Sequence, residues 1–221
     1  MRREKFQNGY YYHIFNRGVD KRVIFLNQQD YIRFLWSLRI FNTTEAIGSI
    51  YEKHHLGLQR GVRHPIGCRT PQRKKLVEFM SYSLLPNHFH LLLKQVHKNG
   101  ISLFMKKISG GYTNYFNKKY NRSGALFQGA FKSIEVNTDG YLWRLSSYIN
   151  TNAEIHKISS AEKWVYSSYP DYLNKRNGNL CHKNIILKDF QNIEDYKNFT
   201  KEIIQESQEI KDELKKYFIE N

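Results

Sequence analysis

Two histidines separated by one residue are the first feature of this chain that could do chemistry. His88 and His90 flank Phe89 in an apolar segment that follows Pro86-Asn87. A turn followed by an apolar run predicts a β-strand, and alternate side chains of a strand share one face, so both imidazoles point the same way. Two imidazoles side by side can hold one divalent metal ion. By itself, however, the pattern more often marks histidines that pack or form hydrogen bonds.

A second pair of candidate functional residues lies in a predicted helix over residues 140–155. Tyr148 and Asn152 are four residues apart, which places them on one helix face. An amide oxygen is a reasonable ligand for a hard cation such as Mg²⁺ or Mn²⁺, and imidazole also suits Mn²⁺. A tyrosine one turn away could attack a phosphate polarised by that ion. The chain has 16 tyrosines. On composition alone, three tyrosines of an earlier predicted helix are comparable nucleophile candidates: Tyr112, Tyr115 and Tyr120.

The charge of the chain favours a polyanionic partner. Lys and Arg number 35 against 20 Asp and Glu, a net charge of +15. Residues 1–160 carry 25 basic and 9 acidic side chains, and residues 161–221 carry 10 and 11, so the excess is confined to the first part. Because this basic part also holds the histidine pair, nucleic acid is the first candidate partner. A solvated basic surface without a specific partner is the alternative.

Length and composition limit the class of protein. A chain of 221 residues, 40% of them hydrophobic, can form one well-packed domain with an appendage. Cys68 and Cys181 match no metal-binding or disulfide framework. No apolar run follows the N-terminus or approaches the ~20 residues that span a bilayer, so we expect no signal peptide and no membrane partner. We expect a cytoplasmic protein that is nucleoid-associated when bound to DNA.

The predicted elements follow the order β-α-β-β-α-β, and further helices come after them. Strands are predicted over 10–16, 76–85, 88–95 and 131–136, and helices over 30–40, 101–120 and 140–155. This order is typical of an α+β, ferredoxin-like (RRM-like) fold, an antiparallel sheet with helices on one face. The helix with Tyr148 and an amphipathic helical tail then follow. Residues 42–75 show no clear period and contain several glycines, prolines and basic residues, which predicts a long basic loop.

Four motifs, taken in order, resemble those of one protein family. They are Asn87-His88-Phe89-His90-Leu91-Leu92-Leu93, Gly124 to Ser133, Tyr148 to Asn152, and Trp164 to Tyr169. Together they resemble the single-tyrosine HUH transposases, in particular the REP-associated tyrosine transposases, over roughly residues 8–172. The resemblance implies that His88 and His90 are the metal-binding pair, that Tyr148 is the nucleophile and that Asn152 is the polar metal ligand.

The match to the family pattern has two departures. The family has His after Tyr-Ile where this chain has Asn150, and Pro after the ligand Asn where this chain has Ala153. Neither change removes a ligand or the nucleophile. The resemblance implies a catalytic domain over residues 1–175 and a C-terminal helical extension over 176–221. The resemblance to the family does not cover residues 176–221.

The implied activity is metal-dependent cleavage and strand transfer of single-stranded DNA at hairpins or repeats, through a covalent 5′-phosphotyrosine. Mg²⁺ or Mn²⁺ is the expected cofactor. No Walker-type glycine loop is present in the sequence, so no nucleotide cofactor is expected.

The expected partner is single-stranded or hairpin DNA, with basic residues on phosphates and nearby rings on bases. The predicted DNA-binding residues are Arg17, Lys21, Arg22, Arg122, Gln128 and Lys132. The sequence leaves open whether the chain acts as a monomer or a homodimer. A binding protein of the same fold that holds hairpin DNA or RNA without cutting it is the alternative function.

Overall fold

A four-stranded antiparallel sheet lies at the centre of the protein. The structure is a computed structural model that describes residues 5–45, 47 and 74–219, with side chains described to residue 212. The strands are β1 (Tyr11–Arg17), β2 (Val77–Leu85), β3 (His88–Gln95) and β4 (Lys132–Val136). Their order in the sheet is β2-β3-β1-β4. The central part of the predicted basic loop lies outside the described residues.

The helices lie on both faces of this sheet. They are α1 (Gln28–Ile40), α2 (Gly100–Lys119), α3 (Asp139–Asn150), α4 (Asn152–Ile155), α5 (Tyr169–Tyr172), α6 (Asn184–Leu187) and α7 (Ile193–Ile219), with 3-10 turns at Val19–Lys21 and Ala161–Lys163. The first two helices pack on one face, whereas α3 and α4 pack on the other and α7 lies against them. The predicted α+β, ferredoxin-like fold is confirmed.

The face under α1 and α2, here called the core face, is built from aromatic and aliphatic side chains. Ile14 of β1 and Phe89 of β3 are fully buried there, together with Phe34 of α1 and Phe104 of α2. The ring of Phe34 lies 5.1 Å from that of Phe89 and 4.9 Å from that of Tyr112. Burial of this apolar surface fixes which face of each strand turns toward α1 and α2.

The two helices of the core face are joined by one buried carboxylate. Asp30, at the start of α1, forms a capping box with Asn27, in which each side chain accepts a backbone N–H of the other residue. Its carboxylate also accepts hydrogen bonds from the hydroxyls of Tyr115 and Tyr120 at 2.9 and 2.7 Å and from Lys119 at 2.7 Å. The polar end of α2 is therefore tied to the first turn of α1.

The opposite layer is organised by α3. Leu142, Leu145 and Ile149 turn toward the sheet in a second apolar cluster, which is the helical spacing that an amphipathic helix requires. The layer covers mainly β2 and β3. Within the described residues, no helix is both long and apolar enough to cross a membrane.

Candidate active site

The register of β1 and β3 places several polar side chains on one face of the sheet. Arg17 is directly opposite His88, and Phe15 is directly opposite His90. Directly paired residues point to the same face, so these four side chains share the face that turns away from α1 and α2. We call it the site face. On β2, Ser83 is opposite His90 and therefore belongs to the same face.

His90 is held by a second imidazole that the sequence did not single out. His90 is 8% exposed, and its Nδ1 lies 2.8 Å from Nε2 of His13. Burial lowers the pKa of His13 to about 4 and that of His90 well below its usual value, so both rings are neutral at pH 7. One ring then donates to the other. This bond occupies Nδ1 of His90 and leaves its Nε2 for a ligand.

A hydrogen bond also determines which ring nitrogen of His88 carries the proton. Its Nδ1 lies 2.6 Å from Oδ1 of Asn87. An amide oxygen only accepts, so Nδ1 of His88 carries the proton and Nε2 carries a lone pair. Burial, followed by the nearby His156 and Arg17, lowers the pKa of His88 to about 4. The rings of His88 and His90 are 5.1 Å apart and nearly perpendicular. Metal binding requires the neutral imidazole, which is the form that both rings adopt here.

Asn152 provides the test of whether a metal ion fits this site. Its side chain is fully buried beside the His88 ring. Among the described residues, neither its Oδ1 nor its Nδ2 makes a hydrogen bond of normal length, although the amide lies close enough to the His88 ring to raise the pKa of that imidazole. A buried amide left in this state costs about 1–3 kcal/mol, so its retention calls for a ligand. No three His, Cys, Asp or Glu side chains among the described residues are placed to hold a metal. The residues that fit are therefore two imidazoles and this amide.

Tyr148 lies beside this group at the end of α3. Its ring is half-buried and stands edge-on to the His90 ring, with centroids 6.2 Å apart. The chain passes from α3 through the cap residue Thr151 directly into α4, which begins at Asn152. The single helix predicted over 140–155 is thus two helices that follow each other without a loop. Within the described residues, the Tyr148 hydroxyl has no hydrogen-bond partner.

The three tyrosines that composition left as rival nucleophiles lie on the other side of the sheet. Tyr112 is fully buried, and its hydroxyl donates to the carbonyl of Ile24 at 2.7 Å. Tyr115 and Tyr120 bind Asp30, as described above. Tyr112 and Tyr115 belong to α2, which covers the core face, and Tyr120 is the C-cap residue of that helix. The fold therefore brings none of them to the histidine pair.

The two departures from the family pattern have structural explanations. Asn150 is fully buried, donates from Nδ2 to the Tyr196 hydroxyl at 2.8 Å and accepts from Ser168 at 2.5 Å. It therefore joins α3 to α7 and to the segment before α5. Ala153 is buried in α4, where it has a backbone N–H that the family's proline lacks.

Sequence reasoning missed three groups near the site. His13 alternates with Phe15 and Arg17 along β1, and that strand pattern could have found it. His156 follows Asn152 by one helical turn, and its ring lies 5.2 Å from that of His88. Lys211 of α7 lies close enough that its charge lowers the pKa of His88, His90 and His156. Its distance along the chain left no sequence signal.

Two predicted DNA-binding side chains lie on the site face, and a third lies beside it. Arg17 and Lys132 are exposed there, opposite His88 and Phe15. The backbone N–H of Gln128 donates to the Arg17 carbonyl, which places this exposed residue at the end of β1.

The other three predicted DNA-binding residues lie in loops around the site. Lys21 is near the turn that precedes His88, because its carbonyl accepts from Asn87. Arg22 makes an exposed ion pair with Asp20 at 3.8 Å. The guanidinium of Arg122 donates to Asn117 and to the Ala125 carbonyl. Arg122 is therefore engaged in bracing its own loop.

Comparison with known proteins supports the resemblance seen in the sequence. Residues 67–152 match the family model of IS200-like transposases, and this stretch contains His88, His90, Tyr148 and Asn152. The comparison with curated proteins found no match. Among solved structures, the chain is similar to a REP-associated tyrosine transposase bound to a REP hairpin, with a TM-score of 0.51 and 15% identity. The match covers 79% of this chain and 86% of that one.

These two findings bear on the resemblance and on the fold. The resemblance to single-tyrosine, IS200-like transposases is confirmed, and the fold is that of a REP-associated tyrosine transposase.

Proposed function

We propose that this protein cleaves single-stranded DNA beside a hairpin and transfers the cut end, with Tyr148 as the nucleophile. The observation that carries the proposal is the arrangement around His90. A tyrosine with no hydrogen bond among the described residues stands edge-on to a buried neutral imidazole. The fully buried amide of Asn152, which also lacks partners there, completes the group. A buried amide in this state is positioned to receive a ligand.

The residues that would hold a divalent metal ion are His88, His90 and Asn152. Mg²⁺ or Mn²⁺ bound there would polarise the scissile phosphate and stabilise the charge that develops on its oxygens. The chain supplies the orientation of the ligands. His13 fixes the ring of His90, and Asn87 fixes that of His88.

The proposed reaction exchanges one phosphodiester for another. The Tyr148 oxygen forms a bond to phosphorus, the bond from phosphorus to the 3′ oxygen breaks, and the phenolic proton finally resides on that oxygen. The products are a 5′-phosphotyrosine and a free 3′-hydroxyl. Because a phosphodiester is retained, a 3′-hydroxyl can reverse the step on a second end without a nucleotide cofactor.

Charge supports DNA as the substrate. Arg17 is exposed directly opposite His88, where a phosphate beside the histidines would meet it. The net charge of +15 favours binding of a polyanion, and such binding weakens as the salt concentration rises, because release of counterions into a more concentrated solution gains less free energy. The solved relative is bound to a REP hairpin, so hairpins from the DNA flanking this gene are the substrates to try first.

The test is a cleavage assay with such hairpins in Mg²⁺ and in Mn²⁺, using the wild-type protein and His88→Ala and His90→Ala. We expect cleavage by the wild-type protein alone, with the adduct mapped to Tyr148 by peptide sequencing. Thermal melting controls for folding. Near wild-type cleavage by either histidine variant would refute the metal assignment. Binding without any adduct from the wild-type protein would favour the non-catalytic, hairpin-binding function.

A further inference from the structure

Part of the site face has no covering layer among the described residues. The helix α3 packs mainly over β2 and β3 and buries Val136 at one end of β4, whereas Lys132 and Ile134 of the same edge strand are exposed. Ile134 of β4 is directly opposite His13, and it is 45% exposed. This exposed apolar side chain lies beside the candidate active site, where a ligand can cover it.

The centre of this open surface is the ring of Phe15. Phe15 is half-buried, and its ring lies 4.8 Å from that of His13 and 5.6 Å from that of His90, at 22° to the latter. His90 in turn contacts Tyr148 edge-on. The ring of His90 thus contacts both the apolar ring of Phe15 and the proposed nucleophile, Tyr148. We call Phe15 and Ile134 the open platform.

Charges at its edge indicate what it binds. Lys132 is exposed and directly opposite Phe15 on β4, and exposed Arg17 is two residues along β1 on the same face. Aromatic and apolar surface flanked by cations suits an unpaired nucleotide, whose base stacks and whose phosphate meets the cation. A docked protein or a second copy of this basic chain would need acidic groups here, and its own charge disfavours self-association through this face.

We propose that the open platform stacks the nucleobase next to the scissile phosphate and so positions that phosphate against Tyr148. The proposal rests on the function proposed above and extends it to a nucleotide subsite. Stacking on a ring accepts every base. The open platform therefore supplies affinity and alignment rather than sequence preference.

The experiment measures binding without catalysis. The probes are hairpins from the DNA beside this gene, each with a labelled single-stranded flank. They are titrated with protein in EDTA, and the affinity is measured by fluorescence anisotropy. One abasic nucleotide is scanned along the flank. Stacking on Phe15 predicts that one abasic position weakens binding roughly tenfold and that Phe15→Leu does the same on the intact strand. It also predicts that the two changes together cost no more than either alone, because they remove the same contact.

Matched variants separate stacking from damage to the site. Phe15→Tyr retains the ring and should bind as tightly as the wild-type protein. Ile134→Ala, at a residue of β4 that pairs with His13 and not with a proposed metal ligand, should weaken binding severalfold. Leu103→Ala removes a side chain of similar exposure, 42%, from α2 on the other face and should have no effect. Lys132→Ala should weaken binding and Lys106→Ala, an exposed lysine of α2, should not.

The outcomes distinguish this proposal from the proposed function. Additive losses at every abasic position, or full affinity in both Phe15→Leu and Ile134→Ala, would overturn the open platform, even if the wild-type protein forms its adduct. Non-additive losses at one position, with no adduct in any metal, would retain the platform and overturn the cleavage activity. Loss of affinity in Leu103→Ala equal to that in Ile134→Ala would also overturn the platform.

Discussion

The two faces of the sheet differ in how well their buried groups are satisfied. The core face is filled by close-packed rings and aliphatic chains, and its one buried carboxylate, Asp30, accepts several hydrogen bonds. The other layer contains most of the buried side-chain atoms that lack a partner among the described residues. The residues there that contain such atoms are Ser81, Ser83, Ser147 and Asn152. One face is arranged for stability, whereas the other keeps polar groups ready for a ligand.

The largest effect is expected on the site face, and on activity alone. Tyr148→Phe removes one hydroxyl that makes no hydrogen bond among the described residues, so the free energy of unfolding should change by less than about 0.5 kcal/mol. The covalent adduct and strand cleavage should be lost completely, while hairpin affinity is retained. Adduct trapping, anisotropy and thermal melting measure the three quantities. An adduct in this variant would mean that another residue is the nucleophile.

The core face should show the opposite behaviour. Phe34 is fully buried and packs against Phe25, Phe89 and Tyr112. Phe34→Ala should lower the free energy of unfolding by about 3–5 kcal/mol, because it removes apolar contacts and leaves a cavity. The fraction that stays folded should still form the adduct. Chemical denaturation and an adduct assay below the melting temperature test this. A stable variant without activity would contradict the division between the faces.

Acid should destabilise the site face first. Burial lowers the pKa values of His13 and His88 from 6.5 to about 4 and that of His90 well below 6.5, and the charge of Arg17 at His88 and of Lys211 at His88 and His90 acts in the same direction. Below pH 6.5 the unfolded chain binds protons that the folded chain does not, so stability is full above pH 6.5 and falls as the pH approaches 4. Denaturation between pH 6.5 and 5, above the range where most carboxylates titrate, should show this fall.

A matched variant isolates the histidines in that experiment. His13→Gln removes one titrating ring and should flatten the pH dependence, even if it also lowers stability at pH 7. Unchanged stability of the wild-type protein from pH 6.5 to 5 would show that the rings are accessible to protons in the folded state.

The sequence predicted the elements that have a strong local period. The turn at Pro86-Asn87 and the apolar run after it predicted the bounds of β3, His88–Gln95, and the strand period predicted the shared face of the two histidines. Helix spacing placed Tyr148 one turn before Asn152. These features depend on residues close together in the chain, where the periods of strand and helix decide the outcome.

The rest of the site depends on contacts between distant residues. His13 contacts His90 because β1 pairs with β3, although the two histidines are 77 residues apart in the chain. The sequence of either strand alone does not determine the register of that pairing. Lys211 reaches the histidines only through the docking of α7. The role of Asn150 was equally hidden, since its partners Tyr196 and Ser168 lie far along the chain. Whether the predicted domain boundary at residue 175 separates independent units stays a prediction.

The smallest expected effect is also the sharpest test of the comparison, because two neighbouring asparagines should respond in opposite directions. Asn152 and Asn150 are both fully buried, but Asn150 binds Tyr196 and Ser168, whereas both amide atoms of Asn152 lack partners within the described residues.

Asn152→Leu replaces an unsatisfied buried amide by an apolar group of similar length. It should leave the free energy of unfolding unchanged or raise it by about 1 kcal/mol, because the desolvation cost of the amide is removed. Asn150→Leu should instead lower it by about 1–3 kcal/mol, since the hydroxyls of Tyr196 and Ser168 lose a buried partner. Urea denaturation in EDTA keeps metal binding out of the comparison. If Asn152→Leu is destabilised as much as Asn150→Leu, the Asn152 amide has a partner in the folded chain and is not held open for a ligand. If Asn152→Leu is as stable as the wild-type protein but fails to cleave DNA, the buried amide of Asn152 is needed for activity and does not stabilise the fold.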